Sequence, residues 1–188
     1  AFFVLAMEEV SWFQREIGYN TPKAFDGNSQ HEFNLHNFAT HYSEILYYNG
    51  SYAFLVLLPF IDLIFPVFIK NKDLKYLVPE PFIVVIGAIS CSYNFVRWES
   101  IITQITFFSS LLILVSLSLF CSKKTEKLLI LATVFLLMVH QIVFLSNGDN
   151  YADPYVLKEF KEFFIPFGFF VFSWVVYSKS NNPVNPSQ

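Results

Sequence analysis

Two adjacent acids, Glu8 and Glu9, open the stretch of the sequence with the most side chains able to do chemistry. Arg15 follows them, and histidines come later at His31 and His36. Carboxylates and imidazoles bind divalent metals, and two acids in unlike surroundings can divide the roles of general acid and general base. Glu8 and Glu9 with His31 or His36 are therefore the candidate metal ligands. Glu8, Glu9 and His36 are the candidate catalytic residues, and the alternative is a structural charge pair with an arginine or histidine.

The histidines recur every five residues, at His31, His36 and His41. On a helix five residues correspond to a rotation of about 140°, so the three rings would point in different directions. A zinc site made from this segment alone is not expected, because helical metal sites use a spacing of three or four. Glu32 and His36 do have that spacing and could form a pair.

The composition is that of a membrane protein. Hydrophobic residues make up 54% of the chain and charged residues 14%, with 24 phenylalanines and a mean hydropathy of +0.46. Soluble domains carry about 25% charged residues. The net charge of −3 and the lack of a basic run argue against a nucleic-acid partner.

Five apolar runs predict membrane-spanning helices, one of them short. They are Tyr52–Ile69, Phe82–Phe95, Ile101–Phe120, Leu128–Leu145 and Phe163–Tyr177. The apolar residues 1–7 are interpreted as the end of an upstream span, within a helix that stops at Gly18. Residues 30–47 predict an amphipathic surface helix that ends at Asn49-Gly50. The predicted fold is an all-α, polytopic transmembrane helix bundle of about five full spans, preceded by a partial span and an interfacial helix.

Three regions follow from this pattern. Residues 1–50 form a polar segment with its surface helix, residues 51–178 form the five-span bundle, and residues 179–188 form a disordered tail. Lysines flank alternate ends of the runs, at 70–75, 123–127 and 179. The positive-inside rule places the loops at 70–75 and 123–127 in the cytoplasm and residues 8–49 on the outer side.

The predicted topology gathers polar residues at the outer face. The predicted polar cluster comprises Glu8, Glu9, Ser11, Gln14, Arg15, Glu32, His36, Asn37, Arg97, Glu99 and Asp149. Two ionisable residues, Asp62 and His140, lie within apolar runs. Such residues are costly in lipid and face a protein partner, so we expect a helix-to-helix hydrogen bond for each, with a proton relay as the alternative.

The polar segment resembles a group of uncharacterised bacterial multi-pass membrane proteins. Those carry E-E-x-S-W-G-Q-R, then T-P, then N-x-Q-x-E-x-N-L-H-N, which correspond here to residues 8–15, 21–22 and 28–37. The likeness covers roughly the first fifth of the chain, and Phe13 stands where that group has glycine. The resemblance implies a bacterial membrane protein but carries no activity. It marks Glu8, Glu9, Gln14, Arg15, Glu32, His36 and Asn37.

Three functions fit these observations. The first is a non-catalytic subunit or scaffold of a membrane complex, with membrane lipids and other membrane subunits as partners. The second is a membrane-embedded, metal-assisted hydrolase that acts on a lipid at the outer surface. The third is a transporter or channel that uses Asp62. The sequence has no HExxH, GxSxG or phosphate-binding glycine loop, and no motif identifies a cofactor.

Overall fold

The computed structural model describes Met7 and residues 11–28, 31–66, 75, 77–92, 100–147 and 154–181. Within these residues the chain is helical and contains no strand, which confirms the all-α prediction. The chain divides into two compact units, Ala1–Gly50 and Ser51–Gln188. The first is rich in polar residues, and the second holds the apolar core.

The described part of the N-terminal unit contains 3₁₀ turns, the start of a long helix at Thr40, and the short helix α1 (Gln14–Ile17). Gly18, with a φ of 78°, follows α1. The prediction of one continuous helix over residues 1–17 is wrong at residues 11–13. Ser11, Trp12 and Phe13 have φ angles of 48°, 54° and 61°, so a left-handed turn precedes α1. Each such residue costs about 1–2 kcal/mol, and other contacts must hold the turn.

A helix predicted to begin at residue 30 begins instead at Thr40 and continues without a break into the first predicted span. It comprises α2 (Thr40–Tyr52), a π-helical segment (Ala53–Leu57) and α3 (Leu58–Ile64), and Tyr42–Ile64 is long and apolar enough to span a membrane. The separate surface helix over residues 30–47 is therefore wrong. The helix passes through Asn49-Gly50, because the Asn49 side chain bonds back to the Ile45 carbonyl at 3.0 Å and so stays within the helix.

Two prolines shape the end of this helix. The π-helical segment ends two residues before Pro59, which lies in the first turn of α3 and has no N–H to donate. The predicted run to Ile69 is wrong as a continuous helix, because α3 ends at Ile64. Phe65 has φ −123° and ψ 67°, a non-helical conformation that the following Pro66 favours.

Four more helices complete the second unit: α4 (Pro81–Ser92), α5 (Ser100–Phe120), α6 (Lys124–Asn147) and α7 (Pro154–Asn181). Two of them contain candidate membrane spans, Lys124–Ser146 and Phe160–Asn181. Pro81–Ser92 and Gln104–Phe120 are shorter apolar helices. The twelve residues of α4 reach only about 18 Å of the roughly 30 Å of hydrocarbon. Three described helices are thus candidate spans, and a count of five stays a prediction.

The core of the second unit centres on Leu55 of the π-helical segment, which is completely buried. Two glycines allow α4 and α7 to approach it. A Cβ atom on Gly87 would lie 2.9 Å from Leu55 Cβ and 2.8 Å from Val56 Cγ2. A Cβ on Gly168 would lie 3.0 Å from Leu55 Cδ1. The position of the first long helix therefore depends on the absence of side chains at these two positions.

Two ion pairs connect helix ends in the second unit. Lys75 Nζ lies 4.0 Å from Asp62 Oδ2, near the end of α3. Lys179 Nζ lies 2.6 Å from Glu80 Oε1, which joins the end of α7 to the residue before α4. The end of α7 and the start of α4 are therefore neighbours, and the two helices run antiparallel.

A three-residue turn makes α5 and α6 an antiparallel hairpin. Near its open end Gln141 Nε2 donates to Gln104 Oε1 at 3.0 Å. At the turn, Lys123 Nζ donates to Glu126 Oε1 at 2.8 Å. This hydrogen bond and the carboxylate charge raise the pKa of Lys123.

Candidate functional site

A network of buried polar side chains fixes the N-terminal unit. At its centre the Ser11 hydroxyl donates to Glu32 Oε2 at 2.8 Å. Asn34 Nδ2 donates to the same carboxylate oxygen at 3.1 Å and to Ser11 Oγ at 3.2 Å. The three side chains thus form a closed triangle. Ser11 and Asn34 are each 2% exposed and Glu32 is 8% exposed.

Asn28 joins this triangle to the backbone of the following turn. Its Nδ2 donates to the Glu32 carbonyl at 2.8 Å, the Asn34 carbonyl at 2.9 Å and Asn34 Oδ1 at 3.0 Å. Its Oδ1 accepts from the Glu32 N–H at 3.4 Å. One buried amide therefore ties Asn28 to the backbone at Glu32 and Asn34, as asparagine side chains do in tight turns.

Gln14 connects α1 to the same turn. Its Nε2 donates to Thr21 Oγ1 at 2.6 Å, and its Oε1 accepts from the Phe33 N–H at 2.6 Å. Thr21 Oγ1 in turn donates to the His31 carbonyl at 2.6 Å. We call Ser11, Gln14, Thr21, Asn28, Glu32 and Asn34 the N-terminal polar network.

An aromatic group accompanies the network. The Phe33 ring lies 4.8 Å from Phe25 and 6.2 Å from both Trp12 and Tyr19, measured between centroids. The Tyr19 hydroxyl donates to the Trp12 carbonyl at 3.0 Å. These contacts hold the left-handed turn at residues 11–13, which would otherwise be unfavourable.

The Ser11–Glu32 pair has the donor and acceptor of a nucleophile and its general base. Its surroundings favour a structural role instead. Ser11 is almost completely buried, and the oxygen that it contacts also accepts from Asn34. A nucleophile needs an open side for its substrate, and here the neighbouring polar groups occupy it.

The structure brings together some of the predicted polar cluster. Ser11, Gln14 and Glu32 belong to the N-terminal polar network, and Asn37 is buried at the turn before α2. Other members lie outside the described residues: Glu8, Glu9, Arg97, Glu99 and Asp149. The side chains of Arg15 and His36 lie outside the description as well. The predicted meeting of residues 8–49 with Arg97 and Asp149 therefore stays a prediction.

Some of the predicted metal ligands lie within the described residues and others lie outside them. His31 is exposed, with a φ of 55°. Among the residues that the structure describes, no three His, Cys, Asp or Glu side chains lie where they could hold a metal ion together. Metal binding through Glu8, Glu9 and His36 concerns side chains outside that part of the chain.

Sequence reasoning missed Asn28, Asn34 and Thr21 as members of the network. The signal that could have found them was turn chemistry. Asn28 and Asn34 flank Glu32 in a segment with the turn residues Gly27 and Asn28 close to its start. The prediction assumed a helix over residues 30–47, and a helix would separate these side chains.

The polar residues of the second unit form cross-helix contacts. Asp62 pairs with Lys75, and Gln141 bonds to Gln104, which the sequence had not singled out. The Tyr52 and Ser109 hydroxyls lie 2.7 Å apart and join α2 to α5. His140 is partly exposed beside Gln141, and a proton relay through it stays a prediction.

Lys161 is a buried cation that the sequence did not single out. It is 4% exposed, on the side of α7 that also carries the buried Ile165 and Gly168. Its aliphatic stem therefore takes part in packing α7 against the rest of the second unit.

Comparison with known proteins adds no relative. No family model, no curated protein and no solved structure matches the chain. The function is therefore argued from the site and the helices alone.

Proposed function

We propose that this chain is a multi-pass integral membrane protein that acts as a non-catalytic subunit or scaffold of a membrane complex. In this proposal the N-terminal unit is the part that contacts a partner protein. The observation that carries it is the N-terminal polar network, whose groups bond to one another and fix a defined surface. A network of this kind gives the segment a fixed surface that a partner protein can bind. A catalytic site, by contrast, must leave polar groups accessible to a substrate.

The same unit displays large apolar side chains. Ile17 is 73% exposed and Leu35 is 66% exposed, and Phe13 and Phe38 are each nearly half exposed. Rigid loops that present apolar side chains bind partners at little entropic cost, because the conformation is already fixed. Ile17 and Leu35 are therefore the proposed anchor residues.

The proposed topology has about five spans, with the loops at 70–75 and 123–127 in the cytoplasm and the segment before the Tyr42–Ile64 span outside. Three candidate spans and two shorter apolar helices support the count. The Lys179–Glu80 pair and the short α5–α6 turn support lysines at one end of the bundle. That end carries the excess of lysine expected of a cytoplasmic face.

Site-specific photocrosslinking tests the partner. A photoreactive amino acid at Ile17 or Leu35 should give one discrete adduct with another membrane protein in native membranes. The matched control is the same amino acid at Lys23, which is exposed in the same unit. Ile17→Ser with Leu35→Ser should lower the bound fraction at least tenfold, and Lys23→Ser should not.

Absence of an adduct, with solitary particles in native lipid discs, would contradict the scaffold function. The hydrolase alternative depends on Glu8, Glu9 and His36. It predicts about one bound metal ion per chain, lost in Glu8→Gln, in elemental analysis of protein purified without chelator.

Thiol labelling tests the topology. Cys121 lies at the α5–α6 turn, so Cys91→Ser leaves one natural reporter there. Asn20→Cys combined with Cys91→Ser and Cys121→Ser places the reporter in the N-terminal unit. A membrane-impermeant maleimide should label position 20 in intact cells and Cys121 only after permeabilisation. The opposite pattern would invert the proposed orientation.

A further inference from the structure

Between Phe160 and Tyr177, one face of α7 carries six aromatic side chains, and the exposed Pro166 lies at its edge. All six are exposed, by 39% to 62%. They are Phe160, Phe163, Phe167, Phe170, Trp174 and Tyr177.

These residues follow one another along one side of α7, which contains Pro166 in its interior. They alternate in steps of three and four residues, so they fall within a sector of about 100° and extend over about 26 Å of helix. Lys161, Ile165 and Gly168 are buried on the opposite side of α7. The stripe therefore points away from the helices of its own bundle, and we call it the aromatic stripe.

The spacing alone would not distinguish this face from one that meets lipid. The exposed face of α5 has the same steps of three and four, through Ile101, Ile105, Phe108, Leu112, Val115 and Leu119. Only Phe108 on that face is aromatic. The aromatic composition of the stripe is therefore the feature to be explained. The exposed face of α5, which is mostly aliphatic, is the reference with which we compare it.

The two faces differ in the energy that they gain when a protein partner replaces the surrounding lipid. Acyl chains are as apolar as leucine, so an aliphatic face gains little by exchanging lipid for another helix. Aromatic rings gain additional energy from stacked and edge-to-face contacts with other rings. Phe163 and Phe167 are already stacked, with centroids 5.8 Å apart and planes inclined by 10°, so they present ordered ring surfaces.

The available area suits a weak dimer. Six aromatic side chains about half exposed present on the order of 600 Å². A standard interface buries about 800 Å² per partner, and reversible ones bury less. A partner with a matching aromatic face is required, and a second copy of α7 provides one by symmetry, since two copies in one membrane have parallel α7 helices.

We propose that the aromatic stripe of α7 is a self-association surface that pairs with the same stripe of a second copy to form a reversible, parallel dimer. This surface belongs to the second unit and differs from the proposed anchor residues Ile17 and Leu35. The dimer can therefore exist whether or not the N-terminal unit binds another protein.

Energy transfer in vesicles tests the dimer. Full-length chains labelled with donor or acceptor are reconstituted together in phosphatidylcholine vesicles over a range of protein-to-lipid ratios. Transfer should exceed that of randomly distributed labels and fall on dilution with lipid. Phe163→Leu, Phe167→Leu and Phe170→Leu in one chain should move the midpoint at least tenfold toward higher protein density.

The matched control makes the same kind of change on the reference face of α5, as Phe108→Leu with Ile105→Leu. It should leave the midpoint unchanged. Transfer at the random level for the natural chain, or equal association by the stripe variant, would overturn the proposal. So would an apolar chromophore that co-purifies with the chain and is lost in the stripe variant.

Disulfide trapping gives a second measurement that does not depend on the leucine variants. In a chain with Cys91→Ser and Cys121→Ser, oxidation should cross-link Phe167→Cys or Phe170→Cys into dimers and leave Leu112→Cys monomeric. Cross-linking through position 112 instead would assign the contact to α5 and overturn the proposal.

Discussion

The Ser11 hydroxyl and the Glu32 carboxylate, 21 residues apart in the chain, meet in a 2.8 Å hydrogen bond that is shielded from water. Around this bond the N-terminal unit assembles from polar side chains, whereas the second unit assembles around Leu55 and other apolar residues. The two halves of the chain thus use different interactions to reach a fixed structure. The predictions below address them separately.

Glu32→Ala should loosen the N-terminal unit. It leaves the Ser11 hydroxyl and the Asn34 amide without their shared acceptor, at a cost of about 1–3 kcal/mol. Hydrogen exchange of residues 11–38 in lipid discs should accelerate accordingly, while the α5–α6 hairpin keeps its protection. Glu16→Ala is the control, because Glu16 is exposed in α1. Equal protection in the two variants would show that the network contributes nothing to stability.

Phe13→Gly should stabilise the same unit. Phe13 has a φ of 61°, a conformation that glycine adopts without strain, and its side chain is nearly half exposed. After the entropy cost of glycine, a gain of about 0.5–1 kcal/mol is expected. Leu46→Gly, at an exposed position within α2, should instead cost about 1 kcal/mol. Faster exchange in Phe13→Gly would mean that the phenyl ring itself holds the turn.

Gly87→Ala should destabilise the second unit. Its new Cβ would overlap Val56 and Leu55 in a closely packed region, and such overpacking costs about 1–3 kcal/mol. The midpoint of thermal unfolding in detergent should fall. Gly50→Ala is the control, since no atom lies within 4 Å of its added Cβ and alanine favours a helix. A lower midpoint in Gly50→Ala than in Gly87→Ala would contradict the packing described.

The Gln104–Gln141 bond should couple α5 to α6. In a double-mutant cycle with Gln104→Leu and Gln141→Leu, the coupling energy should be about 0.6 kcal/mol and no more than about 2 kcal/mol. Unfolding in bicelles by a denaturing detergent measures the four free energies. Strictly additive effects would mean that the two amides are satisfied independently.

The apolar runs predicted the helices well, because a long hydrophobic run in lipid has few alternatives to a helix. The predicted helix ends are wrong where a side-chain hydrogen bond or a proline acts against the pattern of apolar residues. Asn49-Gly50 indicated a helix end, but the Asn49 side chain bonds within the helix and the chain continues through it. The apolar run predicted a helix to Ile69, but the helix ends at Ile64, two residues before Pro66.

In the candidate site, the sequence predicted several of the residues but not the contacts that bring them together. Ser11, Gln14 and Glu32 were predicted to lie in one polar cluster, but the predicted helix through residues 1–17 is interrupted by the left-handed turn at residues 11–13. These side chains meet because Asn28 and Asn34 fold the following turn back toward Ser11. Contacts over about twenty residues that depend on side-chain amides leave no periodic pattern, so periodicity could not predict them.

The wide turn from Ala53 to Leu57 holds about one residue more than an α-helical turn, because its hydrogen bonds run from i to i+5. Deleting one residue there would close the turn to α geometry and leave the helices on either side facing nearly the same directions. The same deletion within α2 or α3 would instead rotate what precedes it by about 100°. The π-helical segment is therefore the one described part of this helix where the chain can lose a residue and keep the same surfaces toward α4 and α7.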